Sequence, residues 1–153
     1  MSTWTIPRYS EGWTVPGFTE RQELGRGASG RVVEAVLDVS GRQVAIKYLN
    51  PDLLTHPAVP QRFRAEGRRL VEYGDPQVGV RAYDYVEQPG EGAAIIVEPA
   101  DWAALHELTE AALLPLLARS GDARPPAGAG GRGGHRFTVI ASGTVAAVLI
   151  RDA

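Results

Sequence analysis

Hydrophobic residues in the first third of the chain are grouped in short runs that are separated by glycine-containing turns. Residues 31–39 carry four valines, a composition that favours β-structure. Ser40-Gly41 is a turn signal, and residues 43–49 form the next apolar run. With a first strand that begins near Phe18, the pattern predicts three strands joined by tight turns, as in antiparallel hairpins.

The hydrophobic spacing becomes helical between residues 57 and 73. Phe63, Leu70 and Tyr73 recur with the period of an α-helix, and charged residues occupy the other face. The Gly74-Asp75-Pro76 sequence predicts the end of this helix, because glycine and proline do not continue it.

Two further strands are predicted at residues 78–88 and 93–98, on either side of a Pro-Gly-Glu-Gly turn. The order of three strands, a helix and two strands predicts the α+β class, with a five-stranded antiparallel sheet and one main helix. We expect this unit to span residues 15–108, after a leader of residues 1–14. The leader holds the first copy of a short repeat, and the second copy, which begins at Trp13, is expected to enter the fold.

The C-terminal part of the chain differs in composition from the rest. Residues 109–119 continue an Ala/Leu-rich segment from Leu105 and predict a helix, which Pro115 is expected to kink or break. Residues 120–134 contain six glycines and two prolines and predict a linker. Residues 135–153 predict a β-hairpin tail, which must dock elsewhere because two strands alone are marginally stable in water.

Charge and composition exclude several classes of function. The 16 basic and 18 acidic residues give a net charge of −2, which argues against a nucleic-acid-binding face. Cysteine is absent, and the three histidines lack the spacing of metal ligands, so we predict no metal site. From its polar composition we expect the N-terminus not to act as a signal peptide, and no apolar run is long enough to predict a membrane-spanning helix. We therefore expect a cytoplasmic protein with no membrane partner.

Residues 25–32 read Gly-Arg-Gly-Ala-Ser-Gly-Arg-Val and fit the pattern G-x-G-x-x-G-x-V. A glycine triplet alone is also compatible with a flexible turn. A Walker A loop is excluded because that motif requires a lysine directly after its last glycine, and here Arg31 follows Gly30. A dinucleotide-binding loop is disfavoured because that loop leads into a helix, and here a strand is predicted to follow. The third possibility is a glycine-rich hairpin over nucleotide phosphates, where backbone N–H groups meet the phosphate oxygens.

The single lysine of the chain favours this third possibility. Among 15 arginines there is one lysine, Lys47, on the strand after the hairpin. A single lysine in so arginine-rich a chain indicates a place that needs a compact ammonium, where a planar guanidinium would not fit. Glu66, on the predicted helix, is expected to pair with Lys47 and to hold its ammonium against the phosphates.

Through these motifs, residues 15–108 resemble the N-terminal (small) lobe of a bacterial serine/threonine protein kinase. The resemblance implies ATP as the ligand and ATP-dependent phosphorylation of protein serine or threonine as the family activity. It implies a nucleotide site lined by Leu24, Gly25, Gly27, Ser29 and Gly30 of the loop, Val32 and Ala45 on the adenine, Lys47 with Glu66, and Val97, Glu98 and Ala100 at the strand-to-hinge segment.

The resemblance ends near Leu108. The sequence has no His-Arg-Asp or Asp-Phe-Gly motif, and its one asparagine is Asn50, so we assign no catalytic residue. We therefore expect a kinase-like protein that is inactive alone and binds ATP weakly, with the role of Mg²⁺ left open. Two alternatives remain: a non-catalytic interaction module, with another protein covering the face that the absent large lobe would expose, and a decayed or frameshifted kinase fragment.

Overall fold

Five antiparallel strands form the main sheet in a computed structural model that describes residues 12–118 and 138–139. The strands are β1 (Phe18–Arg26), β2 (Gly30–Leu37), β3 (Gln43–Leu49), β4 (Ala82–Gln88) and β5 (Gly92–Val97). They are arranged in the order β1-β2-β3-β5-β4, and a short strand β6 (Thr138–Val139) pairs in parallel with the free edge of β4. The predicted α+β class and five-stranded antiparallel sheet are thus confirmed.

The first helix, α1 (Val59–Glu72), lies where the hydrophobic spacing predicted it. Its first turn is capped by His56, whose Nδ1 accepts the N–H groups of Ala58 (3.0 Å) and Val59 (3.3 Å). Its end is set by Gly74, which adopts a positive φ of 71° and donates its N–H to the carbonyl of Arg69 (3.1 Å). The predicted stop signal therefore works as expected.

A second helix, α2 (Trp102–Ala118), begins directly after the 3₁₀ turn Pro99–Asp101. It crosses the expected boundary at residue 108 and continues past Pro115. Of the two predicted effects of Pro115, a break does not occur, and a kink stays a prediction. Proline removes one backbone donor, and here tertiary packing outweighs that loss, because Leu113 is buried in the core just before it. Neither helix of the described residues has the length and apolar character needed to cross a membrane.

Both faces of the sheet are covered by hydrophobic clusters, which explains why β3 and β5 read as almost continuous apolar runs. One face, which we call the helix side, packs against both α1 and α2. Its buried residues include Val32, Ala45, Ile95 and Val97 of the sheet, Phe63 and Leu70 of α1, and Leu105 and Leu113 of α2. Since side chains alternate along a strand, Lys47 lies on this same side, between Ala45 and Leu49.

The opposite face is closed by the start of the described chain. Trp13 donates its indole N–H to Gln88 Oε1 (3.0 Å) and packs edge-on against Tyr48, with ring centroids 6.0 Å apart. Val15 is buried and donates its N–H to the Tyr48 hydroxyl (2.9 Å). The prediction that the second repeat copy enters the fold is confirmed. The first copy, the linker at 120–134 and all of the predicted hairpin except Thr138–Val139 lie outside the described residues.

Candidate functional site

The glycine-rich loop is the turn of the β1–β2 hairpin. Gly27 donates its N–H to the carbonyl of Gly30 (2.8 Å), and Gly30 donates back to Gly27 (3.3 Å), which closes the turn around Ala28 and Ser29. Asn50 ties this turn to the end of β3. Its backbone N–H donates to the carbonyl of Ser29 (2.8 Å), and its side-chain amide donates to that of Ala28 (3.2 Å). The position of the loop is therefore set by hydrogen bonds.

Gly30 is required by close approach of the backbone. Its φ is +155°, and a Cβ atom placed on it would lie 1.8 Å from the carbonyl oxygen of Tyr48 on β3. No side chain could be accommodated at that distance without separating β2 from β3. The third glycine of the motif thus has a structural role in joining the hairpin to the strand that carries Lys47.

Lys47 is fully buried on the helix side of the sheet. Its Nζ lies 3.0 Å from His106 Nδ1 and 3.3 Å from Glu110 Oε2, and both of these partners belong to α2. Burial lowers the pKa of Lys47 to about 8, although the negative charge and hydrogen bond of Glu110 oppose this shift.

The expected ion pair between Lys47 and Glu66 is wrong. Glu66 lies on α1, as predicted, and is buried, but its Oε2 accepts a hydrogen bond from Arg69 Nη2 at 2.6 Å. Arg69 is three residues further along the same helix, a spacing that places the two side chains side by side. The Lys47 ammonium meanwhile is covered by α2, which brings Glu110 to it instead.

The Glu110 carboxylate is the point at which the glycine loop, β3 and α2 meet. It accepts the backbone N–H of Ser29 (3.1 Å) and a short hydrogen bond from the Ser29 hydroxyl, and it pairs with Lys47. It lies directly against Gly27, because a Cβ atom placed there would be 2.6 Å from the carboxylate carbon. Burial favours a raised pKa for Glu110, but the Ser29 hydroxyl and the Lys47 charge outweigh it and lower the pKa.

His106 completes the surroundings of the ammonium. Its pKa is lowered, first by burial and then by the positive charge of Lys47, against the opposing charges of Glu110 and Glu107. An ammonium can only donate hydrogen bonds, so His106 Nδ1 must accept the one from Lys47. The neutral imidazole then carries its proton on Nε2. Sequence reasoning missed both His106 and Glu110. Their spacing of four residues on a predicted helix was the available signal.

The apolar residues expected around an adenine are brought together. Val32, Ala45 and Val97 are buried in the helix-side cluster, and Leu24 packs against it. Trp102 packs against the same cluster, and its ring lies against Gly25, where an added Cβ would be 2.8 Å from Cζ3.

The segment expected to meet the adenine edge is folded into a turn. The carbonyl of Glu98 accepts the N–H of Asp101 at 3.0 Å, and Ala100 lies within the 3₁₀ turn Pro99–Asp101. One lone pair of the Glu98 carbonyl is thus used within the chain. The role of both residues toward a nucleotide stays a prediction.

The donor groups of this site suit a phosphate, whereas the space beneath the loop does not, because α2 fills it. A backbone N–H, a hydroxyl and an ammonium are the groups that bind phosphate oxygens in proteins. Trp102 and Glu110 lie directly against Gly25 and Gly27 and occupy the space next to these glycines. Within residues 12–118, no group of three or more histidine, aspartate or glutamate side chains is arranged to hold a metal ion.

Comparisons with known proteins do not assign this chain. No model of a known protein family matches it, and no curated protein matches it either.

Proposed function

We propose that this protein is a protein-kinase-like small lobe that binds the phosphates of ATP weakly and does not transfer phosphate on its own. The observation that carries the proposal is the convergence of three donors on one anionic group beneath Gly27. These donors are the Ser29 N–H, the Ser29 hydroxyl and the Lys47 ammonium. A carboxylate and a phosphate are both anionic oxygen acceptors, so the groups that hold Glu110 are suited to hold a phosphate.

The placement of these donors in the fold supports the same proposal. A glycine hairpin, a lysine on the next strand and a helix packed on the same side of an antiparallel sheet are the features that the kinase resemblance requires. Val97 ends the strand next to β3, where it pairs with Ala45. The proposal includes a cytoplasmic location, since that compartment supplies ATP.

The affinity for ATP is expected to be low. A nucleotide site normally encloses its ligand, and the proposed site offers one wall together with a loop. We expect a dissociation constant of about 1 mM, which corresponds to about −4 kcal/mol. No step of phosphoryl transfer is assigned to any residue of this chain.

The single lysine makes the test direct. In protein labelled with ¹³C at lysine Cε, the only lysine signal is that of Lys47. Titration with ATP to about 10 mM should shift this signal, and adenosine, which lacks phosphates, should not. A second titration, by calorimetry, compares Lys47→Met with Arg62→Met, which removes an exposed positive charge of α1. Arg62→Met should retain the weak binding and Lys47→Met should lose it.

An unchanged Lys47 signal at the highest ATP concentration would refute the nucleotide proposal. The alternative of a non-catalytic interaction module would then be favoured, since it requires no nucleotide. Part of the face that was expected to need a partner protein is covered by α2 of the same chain. Binding of another protein stays a prediction.

A further inference from the structure

Helix α2 provides both of the polar partners that surround the Lys47 ammonium in the described part of the chain. His106 and Glu110 lie one helical turn apart, so both face the sheet from the same side of α2. Glu110 also satisfies two donors of Ser29 in the loop. One helix therefore binds all three groups that the proposed function assigns to phosphate.

We propose that α2 is a built-in occupant of this anion site, with the Glu110 carboxylate as its ligand, and that α2 must move away before an external phosphate can bind. The docking of α2 through Glu110 stands on the observed contacts alone. Only the identity of the external ligand, a nucleotide phosphate, rests on the proposed function.

Steric exclusion supports this inference independently of charge. Trp102 lies against Gly25 and Glu110 lies against Gly27, so α2 runs beneath the loop over about 12 Å of helix. A ligand that reached Ser29 and Lys47 from below the loop would overlap this helix. The two occupants are therefore mutually exclusive, and each must weaken the binding of the other.

Helix α2 is held on the sheet by buried apolar side chains and by one polar group, which a single substitution can remove. Leu105 and Leu113 are buried in the helix-side cluster and hold α2 on the sheet. The polar part is the Glu110 carboxylate, whose loss would leave these leucines in place. At its N-terminal end, α2 is joined to β5 through Glu98 and the turn Pro99–Asp101, and the Glu98 carboxylate is held to the sheet by Arg42 and Tyr83. This short connection is the expected pivot.

The first arm of the test measures the opening of α2 without any ligand. Glu110→Gln keeps the side-chain shape and removes the charge, and Glu107→Gln is the matched control because Glu107 is exposed on the same helix. By hydrogen exchange and mass spectrometry, Glu110→Gln should speed exchange in α2 about tenfold, through loss of charge-assisted bonds. Exchange in α1 should be unchanged in both variants, which separates local opening from general destabilisation.

The second arm measures ATP binding to the same full-length proteins. If α2 competes with phosphate, Glu110→Gln should bind ATP about tenfold more tightly than the unmodified chain, and Glu107→Gln should match the unmodified chain. Faster α2 exchange with no ATP binding in any variant would uphold the docking role of Glu110 and refute the nucleotide function. Equal ATP affinity in all three proteins would refute the competition.

A third variant is needed in case the glutamine amide of Glu110→Gln keeps enough of the hydrogen bonds to hold α2 in place. Glu110→Arg places a second positive charge against Lys47 and keeps Lys47 as the only lysine, with Glu107→Arg as its control. Glu110→Arg should speed α2 exchange more than Glu110→Gln. Unchanged exchange in both Glu110 variants would overturn the inference that Glu110 holds α2 in the site.

Discussion

At the scale of single residues, the Lys47 site requires the compact shape of a lysine ammonium as well as its positive charge. The sequence indicated that this position needed a lysine among many arginines, and the structure places it fully buried between His106 and Glu110. A compact ammonium makes both contacts from one nitrogen, whereas a guanidinium would need room for its planar fork. The predicted partner was Glu66, whereas the observed partners lie on α2, whose docking on this side of the sheet is a long-range contact that the local pattern does not specify.

The first residue-scale prediction concerns the titration of Lys47. We expect its ¹³Cε signal to titrate in the folded protein with a midpoint of about 8, because burial disfavours the charged ammonium. In urea the midpoint should return to the ordinary value of 10.5. Between these pH values the unfolded chain binds the proton that the folded chain has lost, so the Lys47 contribution to folding stability rises with pH over this interval.

A folded-state midpoint near 10.5 would contradict this picture. It would mean either that the ammonium is hydrated or that the Glu110 charge fully offsets the effect of burial. Because the chain has one lysine, no second side chain can produce a competing lysine signal.

At the scale of elements, local patterns predicted what local interactions determine. The predicted third strand agrees with β3 at both ends, and Gly74 ends α1 as expected. The fourth strand begins later than residue 78, because Asp75 and Val80 pair with each other and Gly79 adopts a positive φ of 78°. The sequence did not predict this turn, because Val78 and Val80 favour a strand that begins earlier.

The docking of α2 was beyond local prediction for a different reason. Ser29 and Glu110 are 81 residues apart, and nothing in either segment specifies the other. The Ala/Leu-rich composition of α2 predicted a helix, without indicating whether or on which face of the sheet it would pack. Long-range packing against the helix side decided both the position of α2 and the partner of Lys47.

The element-scale prediction tests how closely α1 approaches the sheet. A Cβ atom on Gly67 would lie 2.5 Å from Tyr85 Cδ1 and 3.2 Å from Ile95 Cγ1. Tyr85 is buried and donates its hydroxyl to Glu87 Oε1 (2.9 Å), so its ring cannot easily move. Gly67→Ala should gain about 1 kcal/mol of helix propensity and lose about 1–3 kcal/mol to overpacking, with a net loss of about 1 kcal/mol.

Urea unfolding of Gly67→Ala and of Ala65→Gly provides the measurement. Ala65 is exposed on the same helix, so its substitution reports propensity alone and should cost about 1 kcal/mol. A Gly67→Ala protein that is more stable than the unmodified chain would show that α1 lies further from β4 and β5 than the structure places it.

At the scale of the whole molecule, the polar groups around the glycine-rich loop are satisfied by residues of the chain itself. The ammonium of Lys47 is neutralised by Glu110, and the single asparagine, Asn50, is used to tether the loop and to accept the N–H of Asp52 at 3.0 Å. Both arrangements stabilise the fold and leave these groups engaged. Under the proposed function, an external phosphate has to displace these internal partners before it can bind.

The last prediction is that the full chain does not phosphorylate itself or a generic protein substrate with Mg²⁺ and ATP. Phosphoryl transfer needs a base for the acceptor hydroxyl and groups that hold Mg²⁺ at the phosphates, and the sequence has neither a His-Arg-Asp nor an Asp-Phe-Gly motif. Transfer of radiolabel from ATP should equal the protein-free blank, with an active kinase as positive control.

Glu110→Gln should also transfer no label, even though it is expected to open the site, because access to ATP does not supply the missing groups. Label transfer that survives purification and is lost in Lys47→Met would contradict the prediction, and transfer gained only in Glu110→Gln would mean that α2, rather than missing chemistry, keeps the protein silent.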